Sequence, residues 1–267
     1  MIGYVKDQKK SKLDPLKKFL LTILLPVFIL IMWEWSVAHG TLNGNVVPPP
    51  TTLLKTLLGL IESGKLQEGL SISFGRVIAG FLIASIFGVL IGFLMGLFSS
   101  FNRAMASLIN VLRPIPTIAL TPIFIIVLGV GEATNVSIII IGAIWSILLN
   151  TTAGVMNVDR KLMELAYVYR LRKRDVVFRI ILPSALYNII TGLRLGIGGA
   201  WMSVVSAEMI GASSGIGYMI MFARSLAQAA NMYVLVLVIG LIGFIIDRIL
   251  LVFQKQVRKK FCGDING

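Results

Sequence analysis

Ionisable side chains are sparse along the apolar stretches of this chain, so each one found there is a candidate for binding or chemistry. Arg194 lies deepest, and Arg113 opens another apolar stretch in the run Arg113-Pro-Ile-Pro-Thr117. A guanidinium presents a fixed fork of donors and suits an oxyanion, but the same fork serves equally as a structural hydrogen-bond donor. Glu34, Arg76, Glu208 and Asp247 lie nearer the ends of such stretches. No chain of Asp, Glu or His runs through the apolar segments to relay protons, which argues against a proton-driven carrier. The one cysteine, Cys262, and the one histidine, His39, make neither an internal disulfide nor a Cys/His metal site. No catalytic, cofactor-binding or metal-ligating constellation emerges.

Gly211-Ala-Ser-Ser-Gly-Ile-Gly217 has the spacing of a dinucleotide-binding turn. Such a turn must follow a strand and open a helix of a βαβ unit. Here it follows a long apolar stretch, and no Tyr-x-x-x-Lys pair comes after it. Its glycines read better as a sharp turn. A phosphate-cradling Gly-x-x-x-x-Gly-Lys-Ser/Thr loop is missing as well, so nothing in the chain reads as a nucleotide hydrolase.

The elements that position these residues follow from composition. Of 267 residues 57% are apolar and only 14% charged, against about 25% charged in a soluble domain, and the mean hydropathy is +0.89. That much apolar surface needs a bilayer as solvent. The net charge of +13 raises the alternative of a nucleic-acid surface. The basic residues, however, fall between apolar stretches, with no polar domain to carry such a surface, and suit anionic headgroups instead.

Six stretches reach or approach the ~20 residues that cross a bilayer: 19–38, 74–98, 105–130, 136–155, 185–210 and 233–253. The first is too long for a signal-peptide core and shows no convincing cleavage site. Lys and Arg cluster before the first stretch, between the fourth and fifth, and after the sixth, with Arg103 between the second and third. The opposite loops are poor in them, which puts both termini in the cytoplasm. Trp33 and Trp35 then fall at the outer end of the first span. Between the first two spans, 47–64 reads as an extended Pro48-Pro-Pro50 run and a short amphipathic helix capped by Thr51 or Thr52. The expected fold is all-α and polytopic, with six transmembrane helices.

Small residues recur at every fourth position in the second span (Gly80, Ala84, Gly88, Gly92, Gly96) and the fifth (Gly192, Gly196, Ala200). Such stripes allow close helix packing, and in the fifth span they also fit the wall of a moving pathway. In the third, Pro114, Pro116 and Pro122 remove backbone donors and bend a helix, either for structure alone or beside a polar cavity. Candidate pathway residues are Arg113, Pro116, Thr117, Arg194, Gly196 and Trp201.

The loop 159–183 is too charged to span and too long for a simple connection. Leu162, Leu165, Ala166 and Tyr169 share one helical face, and a basic turn and a second short helix ending at Pro183 follow. This loop resembles the signature of binding-protein-dependent (ABC) importer permeases: Glu-Ala-Ala, three residues, Gly, nine residues, Ile-x-Leu-Pro. Glu164, Ala166, Ile180, Leu182 and Pro183 fall at that spacing, whereas Leu165 and Arg170 replace an alanine and the glycine. The resemblance extends over 47–247. It takes in Gly129-Val-Gly131-Glu132, Thr191-Gly-Leu-Arg194, and the run from Ala200-Trp201 to Ala207-Glu208-Met209, a pattern similar to the sulfonate, taurine and nitrate branch.

The resemblance implies cytoplasmic coupling helices between spans four and five that dock on a separate ATPase dimer. Glu164, Leu165, Ala166, Tyr169, Arg170 and Pro183 are the expected contact set, with the small Ala166 on the docking face. It further implies an extracytoplasmic binding protein, a second permease copy as a homodimer, and a bacterial inner-membrane location. The substrate would be a small anion such as an alkanesulfonate, taurine or nitrate. A secondary carrier, which wants inverted repeats, and a membrane-embedded enzyme, which wants an intramembrane catalytic cluster, find no support in the residues. The expected organisation is a basic cytoplasmic segment over 1–18, a transmembrane domain over 19–253, and a basic cytoplasmic tail over 254–267.

Overall fold

A computed structural model describes the backbone of residues 15–262 and the side chains of residues 24–256. Most of the basic N-terminal segment and the end of the tail therefore lie outside the described residues. Among those described, the chain is helical, without strands. Helix α1 (Pro15–Ala38) is followed by the short α2 (Pro50–Glu62) and the long α3 (Lys65–Leu97). Next come α4 (Ser99–Leu112), α5 (Thr117–Leu128) and α6 (Glu132–Met156). The charged loop forms α7 (Arg160–Val168) and α8 (Lys173–Val176), which runs through a π-turn (Val177–Ile181) into α9 (Leu182–Gly211). The chain ends in α10 (Ile216–Ser225) and α11 (Ala229–Cys262). Helix α1 starts before residue 19 and α11 continues past residue 253, so no helix break marks either expected boundary.

Among the described residues, four helices are long and apolar enough to cross a membrane: α3, α6, α11 and the continuous α8–α9 rod. The third expected span is corrected. It is no single bent helix over 105–130 but two, α4 and α5, at 98° to one another. Pro114 and Pro116 interrupt the hydrogen-bond ladder in the same turn, and Pro116 becomes the extended residue before α5. Together the pair makes a fifth candidate span.

Helix α6 is the axis of the bundle, with α3 running parallel on one side and α9 antiparallel on the other. Every small residue of the α3 stripe but one faces α6 so closely that an added Cβ would lie 3.0 Å or less from an α6 atom. A Cβ on Gly92 would lie 2.5 Å from the Leu148 carbonyl oxygen, and one on Gly96 would overlap the Val155 side chain. Ala84, the remaining member, is itself fully buried. The α9 stripe meets the other face, Gly196 against Ile147 and Gly199 against Gly142. The outward face of α3 carries Ile86, Phe87 and Leu90, all more than half exposed. Small side chains inside and large apolar ones outside invert the soluble pattern. In lipid there is no hydrophobic drive between helices, so close packing must supply the attraction.

Helix α1 stands apart. Its residues from Leu24 to Met32 all stay exposed. It is held near its C-terminal end, where Glu34 accepts the Thr51 N–H at 3.1 Å and the Thr51 hydroxyl at 2.8 Å, and the Trp33 ring lies 6.4 Å from Tyr233. The expectation that Thr51 or Thr52 caps α2 is thereby corrected: Pro49 holds the N-cap position without a side-chain bond, and Pro50 opens the helix. Proline is suited there because its missing N–H would be unpaired in any case.

Candidate functional site

The two ends of the bundle carry different chemistry. At one end lies the α7–α8 loop. Asp159 caps α7 by accepting the Lys161 N–H at 2.9 Å. The helix stops in a Schellman turn, with the Arg170 N–H donating to the Tyr167 carbonyl and the Leu171 N–H to that of Ala166. This closure requires a left-handed residue, and Arg170 has φ +51°. A glycine reaches that conformation freely, whereas an arginine pays about 1 kcal/mol. Arg170→Gly is therefore expected to slow amide exchange at position 170 and at Leu171 by about fivefold, measured by hydrogen–deuterium exchange. Unchanged or faster exchange would contradict the strain.

Helix α7 offers an exposed apolar and aromatic surface. Leu165 is half exposed, and Tyr167 and Tyr169 are 86% and 74% exposed. Arg160, Met163, Glu164, Tyr167 and Val168 outline an open hollow on it. Between these open neighbours Ala166 is itself only 5% exposed. Helical geometry separates it by about 100° from Leu165 and from Tyr167, which point out. A charge at Ala166 would disturb folding of the loop itself. Pro183 is exposed at the start of α9, behind the π-turn.

The opposite end holds a buried ionic cluster. Arg76 of α3, 5% exposed, donates from Nη1 to Glu208 of α9 at 2.7 Å and to the Ser214 carbonyl at 2.7 Å. Its Nε donates to Glu132 at the start of α6 at 2.9 Å. Glu208, whose side chain is fully buried, also accepts the Ser73 hydroxyl at 2.8 Å and the Gly217 N–H at 2.9 Å. The glycine-rich turn thus wraps a carboxylate. A Cβ on Gly215 would fall on the Glu208 carboxyl. Three core helices and the turn into α10 are locked by one guanidinium. In the sequence Arg76 and Glu208 lie near the ends of apolar stretches, and Glu132 shows only as the last residue of the run Gly129-Val-Gly131-Glu132. The available signal was three ionisable residues of opposite sign at matching depths of neighbouring spans.

A second cluster binds α9 to α11 nearer the loop end. Arg194 donates to Asp247 at 2.7 Å and to the Gln254 side-chain oxygen at 2.9 Å, and Gln254 donates to the Thr191 hydroxyl at 2.6 Å. Arg194 is therefore a paired donor. Together with Trp201, Gly198 and Asp247 it lines a groove of about 200 Å³ between the two helices. The indole is 4% exposed, donates to the Ile239 carbonyl at 3.1 Å and lies 5.0 Å from the Phe74 ring. Gly196 turns away onto α6. Arg113 and Pro116 are exposed and Thr117 half-buried at the α4–α5 break. The candidate pathway residues thus divide between that break, the α9–α11 groove and the α6–α9 contact.

Comparison with known proteins gives consistent results. The family described as "Binding-protein-dependent transport system inner membrane component" matches residues 80–259. A putative ABC transporter permease of Methanocaldococcus jannaschii is 38% identical, over 87% of this chain and 88% of its own length. A putative aliphatic sulfonates transport permease of Bacillus subtilis is 35% identical over 89% of this chain and 86% of its own. A nitrate import permease of Synechococcus elongatus is 30% identical over 90% and 89%. Among solved structures, an amino acid ABC transporter chain superposes with TM-score 0.64 at 16% identity, covering 75% of this chain and 98% of its own. An inward-facing methionine ABC transporter chain gives 0.57 at 17% identity, covering 68% and 93%.

Proposed function

The chain belongs to the family of binding-protein-dependent transport system inner membrane components and is an ABC importer permease, and from that premise we propose how it works. Helix α1 is the first of six spans, and both termini face the cytoplasm of a bacterium whose inner membrane holds the protein. The basic segment over 1–18 and the tail over 254–267 flank the transmembrane domain on that side. Two copies of the chain pair to enclose a pathway. A cytosolic ATPase dimer docks beneath them, and an extracytoplasmic binding protein delivers the substrate from the other side. That substrate is a small anion such as an alkanesulfonate, taurine or nitrate, in keeping with the relatives that transport sulfonates and nitrate.

The observation that carries this reading is the exposed face of α7, joined through Arg170 and α8 to the rod that ends at Gly211. Glu164, Leu165, Tyr167, Tyr169 and Arg170 form the docking surface, a helix-in-groove contact. Ala166 and Pro183 support it from behind. ATP-driven closure of the ATPase moves α7, and the rod carries the displacement across the membrane, where ionic clusters near each end bind it to α3, α6 and α11.

Removing both tyrosines tests the assignment. Exposed tyrosines contribute little to the chain's own stability, while an interface tyrosine is commonly worth about 2 kcal/mol, some ~30-fold in affinity. The Tyr167→Ala/Tyr169→Ala variant is expected to melt normally in detergent, yet to lose co-purification of the ATPase and uptake of nitrate or methanesulfonate into vesicles. Full ATPase recovery with normal uptake would refute the docking surface.

A further inference from the structure

The rod from Lys173 to Gly211 is continuous but not uniformly α-helical. Val177–Ile181 forms a π-turn, closed by the Leu182 N–H donating to the Val177 carbonyl five residues back. Its cause lies one residue further on. Pro183 has no N–H to give, and its ring would collide with the carbonyl of Arg179 in an α-helical turn. Widening that turn removes the collision and inserts one extra residue into the helix.

The extra residue changes which face of the rod looks inward. From the last residue of the turn onward, Ile181, Ala185 and Ile189 are buried at a spacing of four residues and pack with Val155 of α6. At its start, Val176 and Val177 pack against the same cluster, while Arg174 and Phe178 are exposed. Carrying the α-helical period backward from Ala185 would instead bring Phe178 and Arg174 to the buried face. An arginine would then point into an apolar cluster and two valines into water. The π-turn corrects the phase by about 100°, one residue of helical rotation.

We propose that Pro183 is a positioning residue that, by enforcing the π-turn, sets the rotational phase between the α7–α8 surface and the α9 rod. The basic face of α8 and the aromatic face of α7 are thereby directed away from the bundle, where a partner reaches them. The proposal rests on the docking reading above for its functional consequence, but its structural half stands without it.

The two halves are tested separately. In the full chain carrying Cys262→Ser, single Val177→Cys and Phe178→Cys substitutions are labelled with a maleimide in detergent. Phe178→Cys should label several-fold faster than Val177→Cys. Adding Pro183→Ala should reverse that order, and further deletion of Ile180 should restore it, because removing one residue replaces the rotation that the π-turn supplied. An order unchanged by Pro183→Ala overturns the proposal. In the complex with its ATPase, Pro183→Ala should abolish uptake of nitrate or methanesulfonate, and the Ile180 deletion should recover it. Reversed labelling with undiminished uptake overturns the functional half. Failure of the tyrosine test instead removes the docking reading and leaves the labelling result standing.

Discussion

Arg76→Met is expected to destabilise the chain by about 3–5 kcal/mol. The reason is what it leaves behind. Glu208 is fully buried, and among the described residues Arg76 is the one cation that reaches it. Without the guanidinium, a carboxylate remains in a medium that solvates it poorly, although Ser73 and Gly217 still donate to it. Glu132 has a side chain 67% exposed, so water takes over when its partner goes. Glu132→Gln should accordingly cost about 1 kcal/mol or less. Arg76→Met combined with Glu208→Met removes both buried charges and should recover most of the loss. Thermal unfolding in detergent reads all three. Equal melting temperatures for Arg76→Met and Glu132→Gln would show that the cluster is not a buried ionic lock.

Gly199→Val is expected to prevent the bundle from assembling. The new Cβ would overlap the Gly142 carbonyl oxygen. Overpacking ordinarily costs about 1–3 kcal/mol because side chains give way. Here the obstacle is backbone of α6, so relief requires separating the two helices whose contact forms the axis of the fold. The cost should reach or exceed the upper end of that range. The neighbouring Gly198 is the control, since a Cβ there meets nothing within 4 Å. Gly198→Ala should be neutral, or stabilising by up to about 1 kcal/mol through helix propensity. Size-exclusion profiles of fluorescently tagged variants separate the cases. A monodisperse Gly199→Val peak with the parent's melting temperature would contradict the packing account.

Much of this was legible in the residues. The spacing of Glu164, Ala166, Ile180, Leu182 and Pro183 pointed to the family, and the apolar stretches pointed to a membrane. The small-residue stripes of α3 and α9 were visible as packing surfaces. Their common partner was not, because α6 shows no comparable stripe along its whole length and meets glycines largely with Ile139, Ile147 and Val155. The proline-rich opening of the third span announced a bend but not a 98° break, since the angle depends on what α4 and α5 pack against.

The candidate site divides the same way. That α7 is a short amphipathic helix follows from its period, but a period names a face without saying which side of it is covered. Ala166 shares the apolar face by its period, yet it is only 5% exposed. Arg194 suited an oxyanion and a structural donor's role equally until Asp247 and Gln254, 53 and 60 residues away, were brought to it. Solvent and family belong to composition and local pattern, which operate over a few helical turns and need no partner. The ionic clusters, the phase of the rod and the helix contacts join residues up to 143 positions apart. Only folding in three dimensions decides such pairings, because an isolated ionisable side chain in lipid can lower its energy with any opposite charge that the packing places within reach.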